Sequence, residues 1–486
     1  MTARATTGIA DLDVVLGGGF PAGSCVVFGG APGTGKTILA QQVCFANATA
    51  ERKAVYYTTL SEPHSKLVEH LEGFSFFDST AVGEIVQFHS LAALADRGGS
   101  GDVSMAAVAT EVVREAFEER PSVIVIDSSK ALHEGEGAGF RRAVYELASR
   151  VAHTDAVLIL VGEYDEDDMR TAAEFAVADA IILLSNATSG MVDRRWLRVA
   201  KLRGSDYLGG RHSFRIGPSG MELYPRVEST LPEPVSVTDR RLKSGVPGLD
   251  EMMTGGFPSG SATIIAGPSG AGKTVMCLQF IAEGLKAGES CVFASYQESR
   301  PQILAKAAHF GWDLEKNVND GSLVIVDVQP VELGLDAIAA QIRQAVSSTG
   351  ALRVVIDSIS ELERADDNGR FADYLWALVH AIRRDGATCL LTSETSAFFG
   401  PAFELAHGLS YIADNILLLR YTELESEIRR ALVVVKMRDS DHIKSLVEFE
   451  ITNAGAVVKG KFAGVSGVLS GSPTPTEQKF KEFFGR

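Results

Sequence analysis

Sulfur is scarce in this chain. Five cysteines are spread over 486 residues, at positions 25, 44, 277, 291 and 389, and no two form a C-x-x-C pair. That spacing argues against a disulfide framework or a zinc site and points to buried reduced thiols. The ten histidines show no ligand spacing either. Long apolar runs are missing: none reaches the roughly 18–20 residues that cross a bilayer. Met1–Ile9 has no signal-peptide core. The expectation is a cytoplasmic protein with no membrane contact. Positive charge is short as well, with 46 Lys and Arg against 62 Asp and Glu and a net charge of −16. That balance argues against broad electrostatic capture of nucleic acid. No Lys/Arg-rich loop stands out, and the basic pairs Arg141-Arg142 and Arg383-Arg384 fall in helical patterns.

What is present is ordinary globular material, 45% hydrophobic and 22% charged, in a chain too long for one core. Two or three domains are expected. Gly30-Ala31-Pro32-Gly33-Thr34-Gly35-Lys36-Thr37 fits G-x-x-x-x-G-K-[ST]. An apolar run, Cys25–Phe28, precedes it and a helical pattern follows, which is the strand–loop–helix context of a phosphate-binding P-loop. Its glycines turn backbone N–H groups inward, and the helix start adds partial positive charge. Lys36 can reach the β- and γ-phosphates, and the Thr37 hydroxyl can ligate Mg²⁺. The reading is a nucleoside triphosphate site, with no metal beyond the Mg²⁺ that accompanies ATP.

The chain is written twice. Gly267-Pro268-Ser269-Gly270-Ala271-Gly272-Lys273-Thr274 is a second P-loop, 237 residues after the first. The same offset carries Gly18-Gly19-Phe20-Pro21 to Gly255-Gly256-Phe257-Pro258. Ile126-Asp127-Ser128 recurs as Ile356-Asp357-Ser358, and Lys201-Leu202-Arg203 as Lys436-Met437-Arg438. So many ordered matches mean a tandem duplication. The boundaries expected are 1–230 and 244–472, joined by a linker at 231–243 within the polar, proline-interrupted stretch Tyr224–Arg241, with a tail at 473–486. In each half, apolar runs alternate with helical patterns, so the fold class is α/β: duplicated domains, each with a mostly parallel sheet covered by helices on both faces. Trp196–Lys201 and Ser213–Ile216 read as an added hairpin.

Asp127 and Asp357 end buried strands, where a carboxylate beside a P-loop can orient Mg²⁺ together with Thr37 and Thr274. A capping role for each Asp is the bland alternative. Glu62 and Glu298 follow the next strand and can polarise an attacking water or hydroxyl, or simply cap the following helix. Lys201/Arg203 and Lys436/Arg438 have alternate-residue spacing on a late strand. They fit equally a charged strand edge and cations that reach a neighbouring subunit's nucleotide.

Taken together, these residues resemble the KaiC family of double-domain RecA-like ATPases, known from the cyanobacterial circadian clock. The shared features are Thr7-Gly8-Ile9 with Leu12-Asp13 and Gly-Gly-Phe-Pro, both P-loops, Tyr296–Arg300, Ile356-Asp357-Ser358, Val435–Arg438 and Leu469–Pro473. The resemblance covers essentially the whole chain. It implies a two-tier homohexamer with ATP between protomers, in which the Lys-x-Arg pairs act on the adjacent protomer's nucleotide. It also implies hydrolysis in both rings, with serine/threonine autokinase and reverse dephosphorylation activity in the C-terminal ring.

Three departures matter. The family has two adjacent glutamates where this chain has Ser61-Glu62 and Gln297-Glu298, so one carboxylate remains in each half. The family's phosphosite pair aligns with Ser410-Tyr411, and the first half has Phe175-Ala176 there. Ser410 is therefore the candidate phosphoacceptor, against the alternative of a Ser that caps a helix end. The long family tail is nearly absent, so a KaiA-like regulator is not expected; a KaiB-like partner is compatible with the resemblance. Two other readings share the nucleotide residues. One is a RecA-like DNA-dependent ATPase or recombinase, which needs basic or aromatic channel loops. The other is a scaffold whose nucleotides only stabilise the ring.

Overall fold

The structure is a computed structural model that describes residues 3–58, 69–91, 105–130, 137–164, 168–189, 192–230, 239–366, 369–395, 406–424, 426–438, 440–462, 465–466 and 474–475. The chain divides into two compact units, Met1–Ser229 and Thr230–Arg486. Glu62 with Ser61, the linker residues 231–238, the motif 469–473 and most of the tail lie outside the described residues.

The first unit is built on a nine-stranded sheet. Its five parallel pairings join Ala180–Ser189, Cys25–Gly29, Val157–Gly162, Val123–Asp127, Ala54–Thr58 and Val86–Ser90, in that order. The order follows from sequence chemistry. The Val/Ile runs have no polar alternation, so each strand needs cover on both faces. Val26 and Phe28 point to one face and pack with Leu39 and Val43 of the helix Lys36–Asn47. Cys25 and Val27 point to the other and pack with Phe140, Val144 and Leu147 of the helix Gly137–Val151. These are mostly parallel, doubly covered RecA-like sheets, and the second unit repeats the arrangement. There the parallel order is Leu323–Asp327, Cys291–Ser295, Arg353–Asp357, Thr388–Glu394, Ala262–Gly267 and Asn415–Leu424.

The antiparallel extension is larger than a hairpin. In the first unit Ala180–Ser189, Val192–Leu202, Arg211–Gly217 and Gly220–Tyr224 run antiparallel in succession. The last strand returns through the two-residue turn Pro218-Ser219, and its glycine start hides it from a propensity reading. Gly455–Lys461 is its counterpart in the second unit. The polar stretch Tyr224–Arg241 is also more ordered at its ends than expected. Tyr224 closes a strand, Val227–Ser229 forms a 3-10 turn and Arg241–Leu242 pairs with Phe257–Pro258. That last pairing explains the repeated Gly-Gly-Phe-Pro. Gly256 has φ +117°, and a Cβ there would lie 2.3 Å from the Leu242 carbonyl oxygen; Gly19 stands in the same relation to Ala5. Only glycine permits that approach. Beyond position 473, Thr474–Pro475 pairs with Val465–Ser466.

All five cysteines are buried and free. Among the described residues, no helix is long and apolar enough to cross a membrane.

Candidate nucleotide sites

The second unit shows the site most fully. The strand Ala262–Gly267 ends at the P-loop, and the helix Lys273–Lys286 begins at Lys273 with Gly272 in the left-handed region before it. Lys273 Nζ donates to the carbonyls of Gly267 and Pro268 at 2.8 and 2.9 Å. The ammonium is thus folded back onto its own loop, over the space where phosphates would sit. Burial lowers the Lys273 pKa, opposed by Glu394 and then Asp357. Thr274 Oγ1 donates to Asp357 Oδ2 at 2.7 Å, and Thr392 Oγ1 donates to the other carboxylate oxygen. A hydroxyl and a carboxylate in contact are hard oxygen donors of the kind Mg²⁺ takes, so the residues present fit that ion.

A cavity of about 310 Å³ opens over these groups; Ser269, Gly270, Gln297, Glu298, Lys306 and Glu394 are among its walls. Glu298 is salt-bridged to Lys306 on the helix that follows it, while its other carboxylate oxygen is buried without a partner among the described residues. The helix Arg300–His309 is capped without it. Ser299 stands at the N-cap, and its amide donates to Gln302 Oε1 at 2.8 Å. Gln297 Nε2 donates to Glu361 at 2.9 Å.

The first unit repeats the centre. Lys36 follows Gly35 at φ +97°, where an added Cβ would meet Ile216 at 2.7 Å. Lys36 Nζ donates to the Ala31 carbonyl at 2.8 Å, as does Thr34 Oγ1. Thr37 Oγ1 donates to Asp127 Oδ2 at 2.8 Å, and the buried Tyr56 hydroxyl donates to the same oxygen at 2.6 Å. Gly30 is held so close to Leu184 that a Cβ would lie 2.1 Å from its carbonyl oxygen. Gly33, Gly35, Lys36, Thr37 and Asp127 share a cavity of about 490 Å³. Pro32 is exposed at the loop crest; Gly267 and the buried Ala271 hold the corresponding second loop.

Two further carboxylates enter these cavities: Glu163 in the first and Glu394 in the second. Glu394 pairs in register with Gly267, and Gly162 with Gly29, so each Glu stands beside the first glycine of its P-loop. A sequence reading that ranks acids by spacing overlooks them. The signal was there: both follow an apolar strand at nearly the offset that relates Asp127 to Asp357. Arg195, from the antiparallel extension, also lines the first cavity.

The Lys-x-Arg elements sit at a shared irregularity. The pairing skips one residue, Ala200 in one unit and Val435 in the other, immediately before the lysine. Such a bulge re-aims the side chains after it. The strands end at Leu202 and Met437, so Arg203 and Arg438 lie just past the strand and not, as the spacing implied, on it. Arg438 meets Asp414 at 3.3 Å and Arg203 meets Asp179 at 3.5 Å. Lys436 Nζ donates to the carbonyls of Ser410 and Ala413 at 2.8 and 2.7 Å. Burial and then the neighbouring arginine lower the pKa of Lys201 and of Lys436.

Ser410 lies in the 3-10 turn Ala406–Tyr411, and both Ser410 and Tyr411 are exposed. Four residues later Asp414 accepts from the Ala262 amide at 2.9 Å; in the first unit Asp179 does the same for Cys25 at 3.1 Å. That shared anchor puts Phe175 at the position of Ser410. Phe175 is buried, edge-on to Tyr164 at 4.9 Å.

Comparison with known proteins agrees with this duplicated architecture. The family model described as "ATPase: KaiC" matches residues 5–228 and again 242–462. The circadian clock oscillator protein KaiC of Parathermosynechococcus lividus is 30% identical over 96% of this chain and 87% of its own length. The counterpart in Thermostichus vulcanus is 30% identical over 96% and 91%. The circadian clock protein KaiC3 of Synechocystis sp. is 30% identical over 97% and 95%. With both P-loops, both Thr–Asp contacts and both sheets in place, the chain belongs to the KaiC family of ATPases.

Proposed function

We propose that this chain hydrolyses Mg·ATP in both units, and that the C-terminal unit also transfers phosphate to Ser410 and removes it, within a self-assembled double ring of six subunits that serves signalling or timing. The observation that supports this most directly is the asymmetry at one aligned position. An exposed serine braced by Lys436 stands in the second unit, and a buried phenylalanine stands in the first.

In each unit the P-loop amides and Lys36 or Lys273 would hold the β- and γ-phosphates, while Thr37 with Asp127 and Thr274 with Asp357 would hold Mg²⁺. Mg²⁺ would supply positive charge that offsets the negative charge developing in phosphoryl transfer. Glu298, and by resemblance Glu62, accepts the proton of the attacking group. In the transfer step Ser410 Oγ of one subunit bonds to the γ-phosphorus of its neighbour's ATP. The β–γ bridging P–O bond breaks, ADP leaves, and the hydroxyl proton passes to Glu298. Lys201/Arg203 and Lys436/Arg438 supply positive charge across the subunit boundary. A KaiB-like partner would read the phosphorylation state.

Incubation with Mg·ATP followed by native and peptide mass spectrometry tests the reading. The expected result is a hexamer with nucleotide in both units and phosphate on Ser410. An unmodified Ser410, with no change on Glu298→Gln, would refute the kinase part.

A further inference from the structure

Next to the first P-loop lies a second cavity, of about 580 Å³, which shares Gly30 and Ala31 as a wall but contains none of the phosphate-binding side chains. Its floor is apolar, from Tyr164, Met169 and Leu183, and its rim carries Arg170, Arg198 and Arg211. Arg198 and Arg211 are directly opposite each other on adjacent antiparallel strands. Like charges in that position repel. Neither arginine forms an ion pair with a carboxylate among the described residues, whereas nearby Arg203 and Arg215 do. In a chain of net charge −16, two opposed and uncompensated guanidinium groups over an apolar floor are an unusual use of arginine.

The second unit does not repeat this chemistry. The position of Arg198 is taken there by Val433, since both pair with the strand residue at the same register, Leu183 or Leu418. One step beyond the pair Leu432–Val447, Leu446 takes the place of Arg211. The position of Ser185 is taken by a buried arginine, Arg420. The arginine pair is therefore a feature of the first unit, not of the duplicated scaffold.

We propose that this cavity binds a small organic phosphate carrying a flat apolar group, separate from the ATP on the P-loop. The volume lies in the range of ordinary ligand pockets, roughly 300–1,000 Å³. Planar guanidinium forks suit phosphate oxygens two at a time, and an anion between them removes their mutual repulsion. The flat group lies on Tyr164, Met169 and Leu183.

The test uses the full-length protein saturated with Mg²⁺ and β,γ-imido-ATP, so that both P-loops are filled, titrated with N-methylanthraniloyl-AMP and followed by fluorescence and calorimetry. The expected result is one saturable site per chain. Arg198→Val should weaken it by roughly tenfold or more, the scale of losing a charge-assisted hydrogen bond. Arg198→Lys should weaken it less, and Arg215→Ala, whose partner is Glu222, should leave it unchanged. Bound imido-ATP, measured in each variant, confirms that the unit is folded. Three results would overturn the proposal: no saturable binding, binding by Arg198→Val and Arg211→Leu as tight as by the unsubstituted protein, or release of imido-ATP in step with probe uptake.

Discussion

Glu298 and Lys306 form the most consequential pair in the second cavity. Lys306 tethers one carboxylate oxygen of Glu298, and the other, buried without a partner among the described residues, is the oxygen open to a proton. Lys306→Met removes that tether, and hydrolysis by the C-terminal unit is expected to fall severalfold in steady-state assays. Glu298→Gln is expected to lower it by roughly 10²–10⁴-fold, the usual contribution of general-base catalysis. Titration at alkaline pH reads a different set of residues. Burial pushes the thiols of Cys25, Cys291 and Cys389 from an ordinary 9.0 to about 12, and raises those of Cys44 and Cys277 as well. Above about pH 9 the unfolded chain releases these protons and the folded chain keeps them, so stability falls as pH rises from about 9 to about 12. Urea midpoints across that range check the sign. The P-loop lysines behave oppositely. Burial lowers their pKa, so the penalty of charging them is present at neutral pH and is relieved as they deprotonate, but phosphate affinity is lost in the same window. The loss of ATP affinity with rising pH is therefore expected to set in below pH 10.5, the ordinary lysine value, as ATP titrations across that range would show.

Strands and helices are held in place by a few buried polar anchors as well as by their apolar faces. Arg353, 2% exposed, opens the strand that ends in Asp357. It donates to Glu289 at 2.6 Å and to the Phe280 and Lys243 carbonyls, and lies over the Phe280 ring. Arg353→Met is expected to cost about 3 kcal/mol, because it leaves Glu289 with Arg240 alone and takes the donor from the Phe280 and Lys243 carbonyls, as a shift in thermal or urea midpoint would show. Arg353 also marks the limit of sequence reading. A charge at the start of an apolar run looks like a strand end meeting solvent, and only the fold reveals the three acceptors around it. The central strands were legible for the opposite reason: Val123–Asp127 and its kin are apolar on both faces, and nothing but a covered parallel strand reads that way. The two returning strands with glycine at their start gave no such signal. In the site, the paired P-loops and Asp residues were legible from spacing. Glu163 and Glu394 repeat at one offset, but only strand register sets them beside the P-loops; Lys306 was not legible, since the helix it sits on brings it to Glu298.

At the scale of the whole chain, duplication gives two copies of one phosphate-binding centre with different surroundings. Lys36→Ala and Lys273→Ala are each expected to leave the other unit's hydrolysis measurable, and the double variant to abolish it, as phosphate release would report. A residual rate in the double variant would mean that turnover does not depend on these loops.

The burial of every cysteine has a practical consequence. A single cysteine introduced on the surface would be the one thiol open to a maleimide dye or spin label under native conditions. With one such cysteine in each unit, distance changes between the two units could then be followed through a nucleotide cycle without first removing the native sulfur.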